Sequence, residues 1–170
     1  NRLAALKPYV PGEQPQNMKY IKLNTNESPY PPSPEVERAI NAEINNLNLY
    51  SDPECKKLNC AIAAAEGVDE DMVFSGNGSD EVLAFCYMAF CDDNTGVAYP
   101  DISYGFYPVY KDLFCIDGKE IPLKDDFSID ADDYIGLGRT IFIANPNAPT
   151  GLSLGLDDIE KILQGNRNNI

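Results

Sequence analysis

From residue 72 onward, short apolar segments alternate with segments of helical periodicity, and this alternation constrains the fold more than any other feature. The apolar segments are MVFS at 72–75, GVAY at 96–99 and TIFIA at 140–144, and residues 119–122 suggest a further short strand. Helical patterns begin near Ser79 and recur over 104–113 and 156–163, with a helical turn at 131–135. Strands that alternate with helices predict an α/β fold, and TIFIA is typical of a strand buried on both faces.

The residues before this region predict an extended arm and then a helix. Residues 6–34 are rich in proline and asparagine, and only 20–23 is a strand candidate. Ser33 suits the N-cap of a helix and Pro34 its first position, and apolar residues then recur with helical spacing on one face: Val36, Ile40, Ile44 and Leu47. We therefore divide the chain into residues 1–33, an N-terminal arm with the start of a small domain, and residues 34–170, the first part of a large domain.

A second helix is predicted between Asp52 and Gly67. Asp52 suits the cap, Pro53 the first helical position, and Gly67 the stop. We expect the apolar side chains of this helix to face inward: Leu58, Ile62 and Ala65.

Composition and charge exclude several classes of function. A net charge of −14 and a pI near 4.2 disfavour binding to nucleic acid or to a membrane surface. No apolar stretch approaches the roughly 18 residues of a membrane span, so we expect a cytoplasmic protein. The chain has no histidine, which excludes Ser–His and Cys–His catalysis within it and most zinc sites, and the spacing of its five cysteines indicates free buried thiols. We therefore expect no metal.

Three loops that each follow an apolar strand carry candidate binding residues. SGNGSDE at 75–81 combines glycines with a helix start, where unpaired N–H groups can hold a phosphate; a purely structural turn is the alternative. YPDISYGFY at 99–107 offers aromatic rings for a planar ligand, unless the rings only pack the core. NPNAPTG at 145–151 offers amide donors, unless it is an ordinary turn. The conjunction of phosphate, ring and amide sites favours a cofactor-binding protein.

With these segments the sequence resembles the fold-type-I pyridoxal-phosphate aminotransferases, most closely the histidinol-phosphate subgroup. The resemblance runs from LKPYVPGE and LNTNESPYPPSP through LYSDP, SGNGSDE and YPDISYGFYPVY to NPNAPTG. It implies a three-layer α/β/α large domain, here partial, with an extended N-terminal arm. It also implies pyridoxal 5′-phosphate as cofactor and a homodimer with shared active sites.

The resemblance implies roles for individual residues. Gly78, Ser79 and Asp80 would hold the cofactor phosphate, and Tyr104 would stack on the pyridine ring. The remaining implied residues are Tyr50, which would reach the phosphate of the neighbouring subunit, and Tyr9 and Asn26, which would lie near the substrate.

One position departs from the family pattern. The family asparagine that donates to the 3′ oxygen of the cofactor aligns with Ala148, and Asn147 is its neighbour. Either the loop shifts so that Asn147 makes this contact, or the contact is absent.

No residue of this chain matches the catalytic lysine of the family, its ring-nitrogen aspartate or its substrate arginine, and we expect the lysine beyond Ile170. The chain alone is then expected to be an inactive fragment. The implied reaction of the parent protein is transamination between a small-molecule amino donor, L-histidinol phosphate, and a 2-oxo acid, 2-oxoglutarate. The alternatives are another aminotransferase or a phospho-amino-acid decarboxylase of the same subgroup, and a non-catalytic nucleotide-binding domain. The missing third glycine and the missing P-loop lysine speak against the last.

Overall fold

The computed structural model describes Leu6, residues 12–15, residues 17–18 and residues 20–170. Its backbone divides into two compact units, one within Pro8–Ser75 and one that contains Gly76–Ile170. The boundary predicted after residue 33 falls inside the first unit and stays a prediction.

The first unit contains the two helices expected from the sequence. Helix α1 spans Pro34–Glu43 and continues as a 3₁₀ turn over Ile44–Asn46. The Ser33 hydroxyl caps α1 by accepting a hydrogen bond from the Val36 N–H, at 3.5 Å. The predicted cap and first position of α1 are therefore confirmed.

Helix α2 spans Lys56–Glu66 and begins later than predicted. The Asp52 carboxylate accepts hydrogen bonds from the N–H groups of Glu54, at 3.1 Å, and Lys56, at 2.9 Å. It therefore stabilises a turn before the helix, and α2 starts only after Cys55, which has a left-handed φ of 49°. Gly67, with φ of 70°, ends α2 as predicted because glycine adopts this conformation without steric cost.

The inward face predicted for α2 was wrong. Leu58, Ile62 and Ala65 are exposed, and the buried residue of α2 is Ala63. The reason is that α2 packs against a 3₁₀ turn, Glu70–Met72, and such a short turn covers little of a helix face.

The strands predicted at 20–23 and at MVFS are also absent from the part of the chain that the structure describes. Val73 has extended backbone, with φ of −112° and ψ of 126°, but it pairs with no described strand. A strand needs a hydrogen-bonded neighbour as well as an apolar sequence.

The second unit is built on a parallel sheet. Its strands are β1 (Val97–Pro100), β2 (Gly118–Ile121) and β3 (Thr140–Ile141), in the order β2-β1-β3, and the helices are α3 (Gly78–Phe90), α4 (Phe106–Phe114) and α5 (Leu156–Gly165). A 3₁₀ turn over Ala131–Tyr134 lies where the helical turn was predicted and packs against α5. The alternation predicted after residue 76 is therefore confirmed.

Each face of the sheet carries its own apolar cluster, because successive strand residues point to opposite faces. Val97 and Tyr99 pack with side chains of α3 and α4, whereas Ala98 packs with Ile162 of α5. The domain is thus a three-layer α/β/α arrangement, as predicted.

The burial predicted for TIFIA was too extensive. Thr140 is buried, but residues 141–144 are half-buried, and only Thr140–Ile141 pair as a strand. On the side of β3 away from β1, the Ile141 N–H donates to the carbonyl of Ile170 at 2.8 Å. A single carbonyl covers less of β3 than a full neighbouring strand would.

The structure also bears on the predicted state of the cysteines and on membrane-spanning helices. All five cysteines are free thiols, as predicted, but only Cys91 is buried and Cys115 is exposed. None of the helices in the described ranges is both long enough and apolar enough to cross a membrane.

Candidate functional site

The candidate site of the second unit lies where β1 and β3 end. Parallel strands end at the same edge of a sheet, so the loop after β1 and the loop after β3 meet there. The meeting is direct, since the Ser103 hydroxyl donates to Oδ1 of Asn147 at 2.7 Å. Two of the three candidate loops are therefore in contact.

The third candidate loop forms the N-terminus of α3, and no side chain caps it. The Asn77 side chain makes no capping hydrogen bond, and the first N–H groups of a helix lack acceptors within the helix. Gly78 has φ of +79°, and a Cβ built on it would meet no atom within 4 Å, so the space beside it is open. Ser79 is exposed next to it. The Gly78 N–H donates to the Gly76 carbonyl at 3.0 Å, so the groups that can hold an anion such as phosphate are the N–H groups of Ser79 and Asp80 and the Ser79 hydroxyl.

Both acidic residues in the first turn of α3 are engaged within the protein. Glu81 Oε2 accepts from the Asn77 N–H at 2.6 Å. Asp80 Oδ1 accepts from the Tyr104 hydroxyl at 2.5 Å, and the Asp80 carbonyl accepts from the Tyr110 hydroxyl at 2.8 Å. The carboxylates thus hold neighbouring groups at the start of the helix.

The bond between Tyr104 and Asp80 joins the aromatic loop to the start of α3. Tyr104 is half-buried, and its ring stacks on Phe106 with ring centroids 5.7 Å apart. The rings of Tyr104 and Tyr107 pack in a T-shaped arrangement with centroids 5.8 Å apart. The hydroxyl and the flanking rings together fix the orientation of the Tyr104 ring beside the open helix N-terminus.

Asn147 occupies a different environment from the one its sequence context suggested. It is only 2 % exposed. Its Nδ2 donates to the carbonyl of Ile102, at 2.9 Å, and to Oγ1 of Thr150, at 3.2 Å. The amide that was expected to offer a donor to a ligand is therefore occupied by protein oxygens.

The other predicted site residues lie outside this cluster. Tyr50 and Asn26 belong to the first unit; the Tyr50 side chain is fully exposed, and Asn26 is exposed with φ of 52°. Tyr9 lies outside the described residues. The structure therefore brings together Gly78, Ser79, Asp80, Tyr104 and Asn147 in one unit.

Comparison with known proteins places the chain in a family. The model of "Aminotransferase class I and II" matches residues 18–170. The chain belongs to the class I and II aminotransferases.

Individual relatives give a finer comparison. The whole chain aligns with 48 % of the length of the histidinol-phosphate aminotransferase of Brachyspira hyodysenteriae. The two sequences are 52 % identical over this alignment. The enzyme of the same name from Clostridium acetobutylicum aligns over 99 % of this chain and 48 % of its own length, and the two sequences are 51 % identical over this alignment. The chain therefore spans about half the length of the curated relatives it matches.

A solved structure supports the fold of this aminotransferase chain. The crystal structure of histidinol-phosphate aminotransferase from Sinorhizobium meliloti in complex with pyridoxal-5′-phosphate superimposes with a TM-score of 0.76. The overlap covers 83 % of this chain and 40 % of that one at 23 % identity. The fold-type-I large domain predicted from the sequence is therefore confirmed, in part of its length.

Three residues of the candidate site were missed by the sequence reasoning. Ser103 and Thr150 bind the Asn147 side chain, and Tyr110 donates to the Asp80 carbonyl. Ser103 and Thr150 lie within two of the candidate loops, and this position in the motifs was the one feature of the sequence that could have identified them. Tyr110 follows Tyr104 by six positions within the helical pattern, and nothing local distinguished it from a core residue.

Burial raises the pKa of two tyrosines near the candidate site. Desolvation raises the pKa of Tyr107, and desolvation together with the Asp80 charge raises the pKa of Tyr110. The Tyr110 hydroxyl therefore keeps its proton, and remains a donor to the Asp80 carbonyl, to a higher pH than an exposed tyrosine would.

Proposed function

We propose that the protein carrying these residues is a pyridoxal-phosphate-dependent aminotransferase that transfers the amino group of L-histidinol phosphate to 2-oxoglutarate. The observation that carries the proposal is the hydrogen bond from Tyr104 to Asp80, at 2.5 Å, which holds an aromatic ring beside a helix N-terminus suited to phosphate. The amino donor is inferred from the name shared by relatives about half identical to this chain.

The start of α3 supplies the groups that fit the cofactor phosphate. The N–H groups of Ser79 and Asp80 lie in the uncapped first turn, and the Ser79 hydroxyl adds a further donor. The Gly78 N–H donates to the Gly76 carbonyl at 3.0 Å, and Gly78 contributes open space beside the helix start. An anion at a helix N-terminus is stabilised by about 0.3–1 kcal/mol, and by up to about 2 kcal/mol where the site is partly buried. This attraction acts locally at the start of α3, in a chain whose net charge is −14.

Tyr104 fits the pyridine ring of the cofactor. Ring stacking contributes about 0.5–1.5 kcal/mol beyond burial, and it also fixes the plane of the ligand ring. A fixed ring plane matters because the bond that breaks in the substrate must stay perpendicular to it. When bound, pyridoxal phosphate acts as the electron sink of the reaction. Tyr104 itself only binds and orients.

Other groups of the reaction are assigned by family resemblance alone. The lysine that binds the cofactor, the aspartate that pairs with its ring nitrogen and the arginine that binds the substrate have no match among the 170 residues given. We expect them in the part of the protein that the relatives carry and this chain does not span.

We further propose a cytoplasmic homodimer with shared active sites. Tyr50 would reach the cofactor phosphate of the neighbouring subunit, and its fully exposed side chain leaves the hydroxyl accessible. Tyr9 and Asn26 would lie near the substrate.

The test is an amino-donor assay on the full-length protein with pyridoxal phosphate and 2-oxoglutarate. The donors are L-histidinol phosphate, its dephosphorylated form L-histidinol, and a phospho-amino acid that retains its carboxyl group. Glutamate formation reports transamination, and released carbon dioxide reports decarboxylation. We expect glutamate chiefly with L-histidinol phosphate, dependent on added cofactor, and no carbon dioxide from any donor.

The rival functions give different results in this assay. Glutamate formed faster from another donor would indicate a different aminotransferase, and carbon dioxide from the phospho-amino acid would indicate a decarboxylase. Tight binding of a nucleotide, with no glutamate from any donor, would replace the proposal with a nucleotide-binding domain.

A further inference from the structure

The Asn147 side chain is buried, and protein groups use both ends of its amide. Oδ1 accepts from the Ser103 hydroxyl at 2.7 Å, and Nδ2 donates to the Ile102 carbonyl at 2.9 Å and to Thr150 Oγ1 at 3.2 Å. A primary amide has two N–H donors, and both are engaged. Further donation to a ligand would break an existing bond.

These bonds connect chain segments that are distant in sequence. Ile102 and Ser103 precede Asn147 by 45 and 44 positions, and they belong to the loop after β1. Within its own loop the Asn147 N–H donates to Leu152 O at 2.8 Å, and its carbonyl accepts from Gly151 N at 2.7 Å. Asn147 therefore lies in a turn closed by backbone hydrogen bonds, and its side chain is hydrogen-bonded to the loop after β1.

The loop after β1, to which Asn147 is hydrogen-bonded, carries the Tyr104 ring. Tyr104 directly follows Ser103, so its backbone is fixed by the Asn147 contacts on the preceding residues. At the other end of its side chain, the Tyr104 hydroxyl donates to Asp80 at 2.5 Å. The ring is thus restrained at its backbone by one loop and at its tip by the start of α3.

We propose that Asn147 is a positioning residue, which sets the angle of the Tyr104 ring relative to the α3 N-terminus, and that it does not bind the cofactor. The inference rests on the proposed function in one respect: the angle of the Tyr104 ring matters for the reaction only if that ring stacks on a bound cofactor. The restraint itself exists in the unliganded protein. It assigns to Asn147 a role different from the amide donor that its sequence context suggested.

The experiment compares Asn147→Ala with Asn145→Ala in the full-length protein. Asn145 is a matched control because it lies in the same loop and also makes two amide hydrogen bonds. Both of them go to Leu154, at 2.9 and 3.2 Å, and not to the Tyr104 loop. The first readout is hydrogen exchange of the backbone amides at 101–105 without cofactor. The second is the induced circular dichroism of bound pyridoxal phosphate, normalised to the amount bound.

We expect Asn147→Ala to accelerate exchange at 101–105 by about tenfold or more, because the bonds that restrain this loop are lost. The induced circular dichroism should fall to about half or less, since a less restrained Tyr104 fixes the ligand ring less well. Asn145→Ala should change neither readout. Unchanged exchange and unchanged dichroism in Asn147→Ala, or equal changes in both variants, would overturn the proposal.

A second pair of variants covers the case in which Asn147→Ala does not fold. Ser103→Ala removes one bond to Asn147, whereas Ser103→Thr keeps the hydroxyl. Loosening of 101–105 in the alanine variant, with rescue in the threonine variant, supports the proposal, and equal exchange in both overturns it.

The two readouts also separate this inference from the proposed function. If the wild-type protein binds no pyridoxal phosphate, the proposed function fails, and the exchange experiment alone then decides whether Asn147 holds the loop.

Discussion

The two units of the chain differ in how their apolar side chains are used. In Gly76–Ile170, apolar clusters on both faces of a sheet are buried, and Tyr87, Val97 and Ala98 are fully shielded from solvent. In Pro8–Ser75, Ala63 is the buried residue among those described, while the apolar faces of α1 and α2 stay largely exposed. The helices of both units form from local signals. Burial additionally needs a sheet or another helix to pack against.

The largest contrast concerns the cost of truncating an apolar side chain in each unit. Tyr87→Ala should lower the free energy of unfolding by about 3–5 kcal/mol, because the buried ring stacks at 4.5 Å on Phe142. Leu58→Ala on α2 should change it by less than about 0.5 kcal/mol, because Leu58 is exposed. Urea denaturation measures both.

Tyr87→Phe is the control for this comparison, since it keeps the ring and loses only the hydroxyl that donates to the Tyr107 carbonyl at 3.2 Å. It should cost about 1 kcal/mol. If Leu58→Ala proved as costly as Tyr87→Ala, the apolar face of α2 would have to be covered, and the contrast between the units would fail.

The next contrast concerns the two helix starts. Ser33→Ala should destabilise by about 1 kcal/mol, because the Ser33 hydroxyl caps α1, whereas Ser33→Gly should cost only a few tenths. Asn77→Ala should stay within about 0.5 kcal/mol, because the Asn77 side chain caps nothing and its N–H bond to Glu81 survives the change. Thermal unfolding compares the three variants, and a large cost for Asn77→Ala would argue against an α3 N-terminus left open for a ligand.

A smaller effect is expected for cofactor affinity. Tyr104→Ala should weaken pyridoxal phosphate binding by about two- to twelvefold, the equivalent of about 0.5–1.5 kcal/mol of ring stacking. Tyr104→Phe should lose less, because it keeps the ring and lacks only the bond to Asp80. Fluorescence titration with the cofactor measures both. Equal losses in the two variants would mean that the bond from the hydroxyl to Asp80, and not ring stacking, accounts for the affinity.

The smallest effect is a pH dependence that the two units share. Hydrogen bonds from backbone N–H groups hold the pKa of Asp52 and of Asp92 below the usual value of about 3.9. A lowered folded-state pKa stabilises the protein above the unfolded pKa, and this contribution is lost as the pH falls through the folded pKa. An NMR titration should place both carboxyl midpoints below about 3.9, and Asp52→Asn should remove the first. Midpoints at or above this value would show that the bonds do not persist in solution.

Local chemistry made much of this structure predictable from the sequence. Ser33 and Gly67 marked the ends of helices because capping needs only neighbouring residues. The strand positions near 97 and 140 followed from short apolar segments between turns, and a further short strand was expected at 119–122, next to the observed one near 118. MVFS was misjudged because a strand also requires a partner, which the segment itself does not encode.

The candidate site was predictable in its residues but not in its contacts. Gly78, Ser79 and Tyr104 stood out by motif. The bond between Tyr104 and Asp80 joins positions 24 apart, and the bond between Ser103 and Asn147 joins positions 44 apart. Such contacts depend on the order of the strands in the sheet, which brings distant parts of the chain together. The sequence therefore pointed to Asn147 without revealing that its amide is already occupied.

The most direct test of the account is a crystal structure of the full-length protein grown with pyridoxal phosphate. We expect the phosphate beside Gly78, with its oxygens at roughly 2.7–3.2 Å from the N–H groups of Ser79 and Asp80, and the pyridine ring against Tyr104. The Asn147 amide should remain bonded to Ile102 and Ser103. A phosphate bound elsewhere, or a pyridine ring away from Tyr104, would contradict the central claim that these loops form the cofactor site.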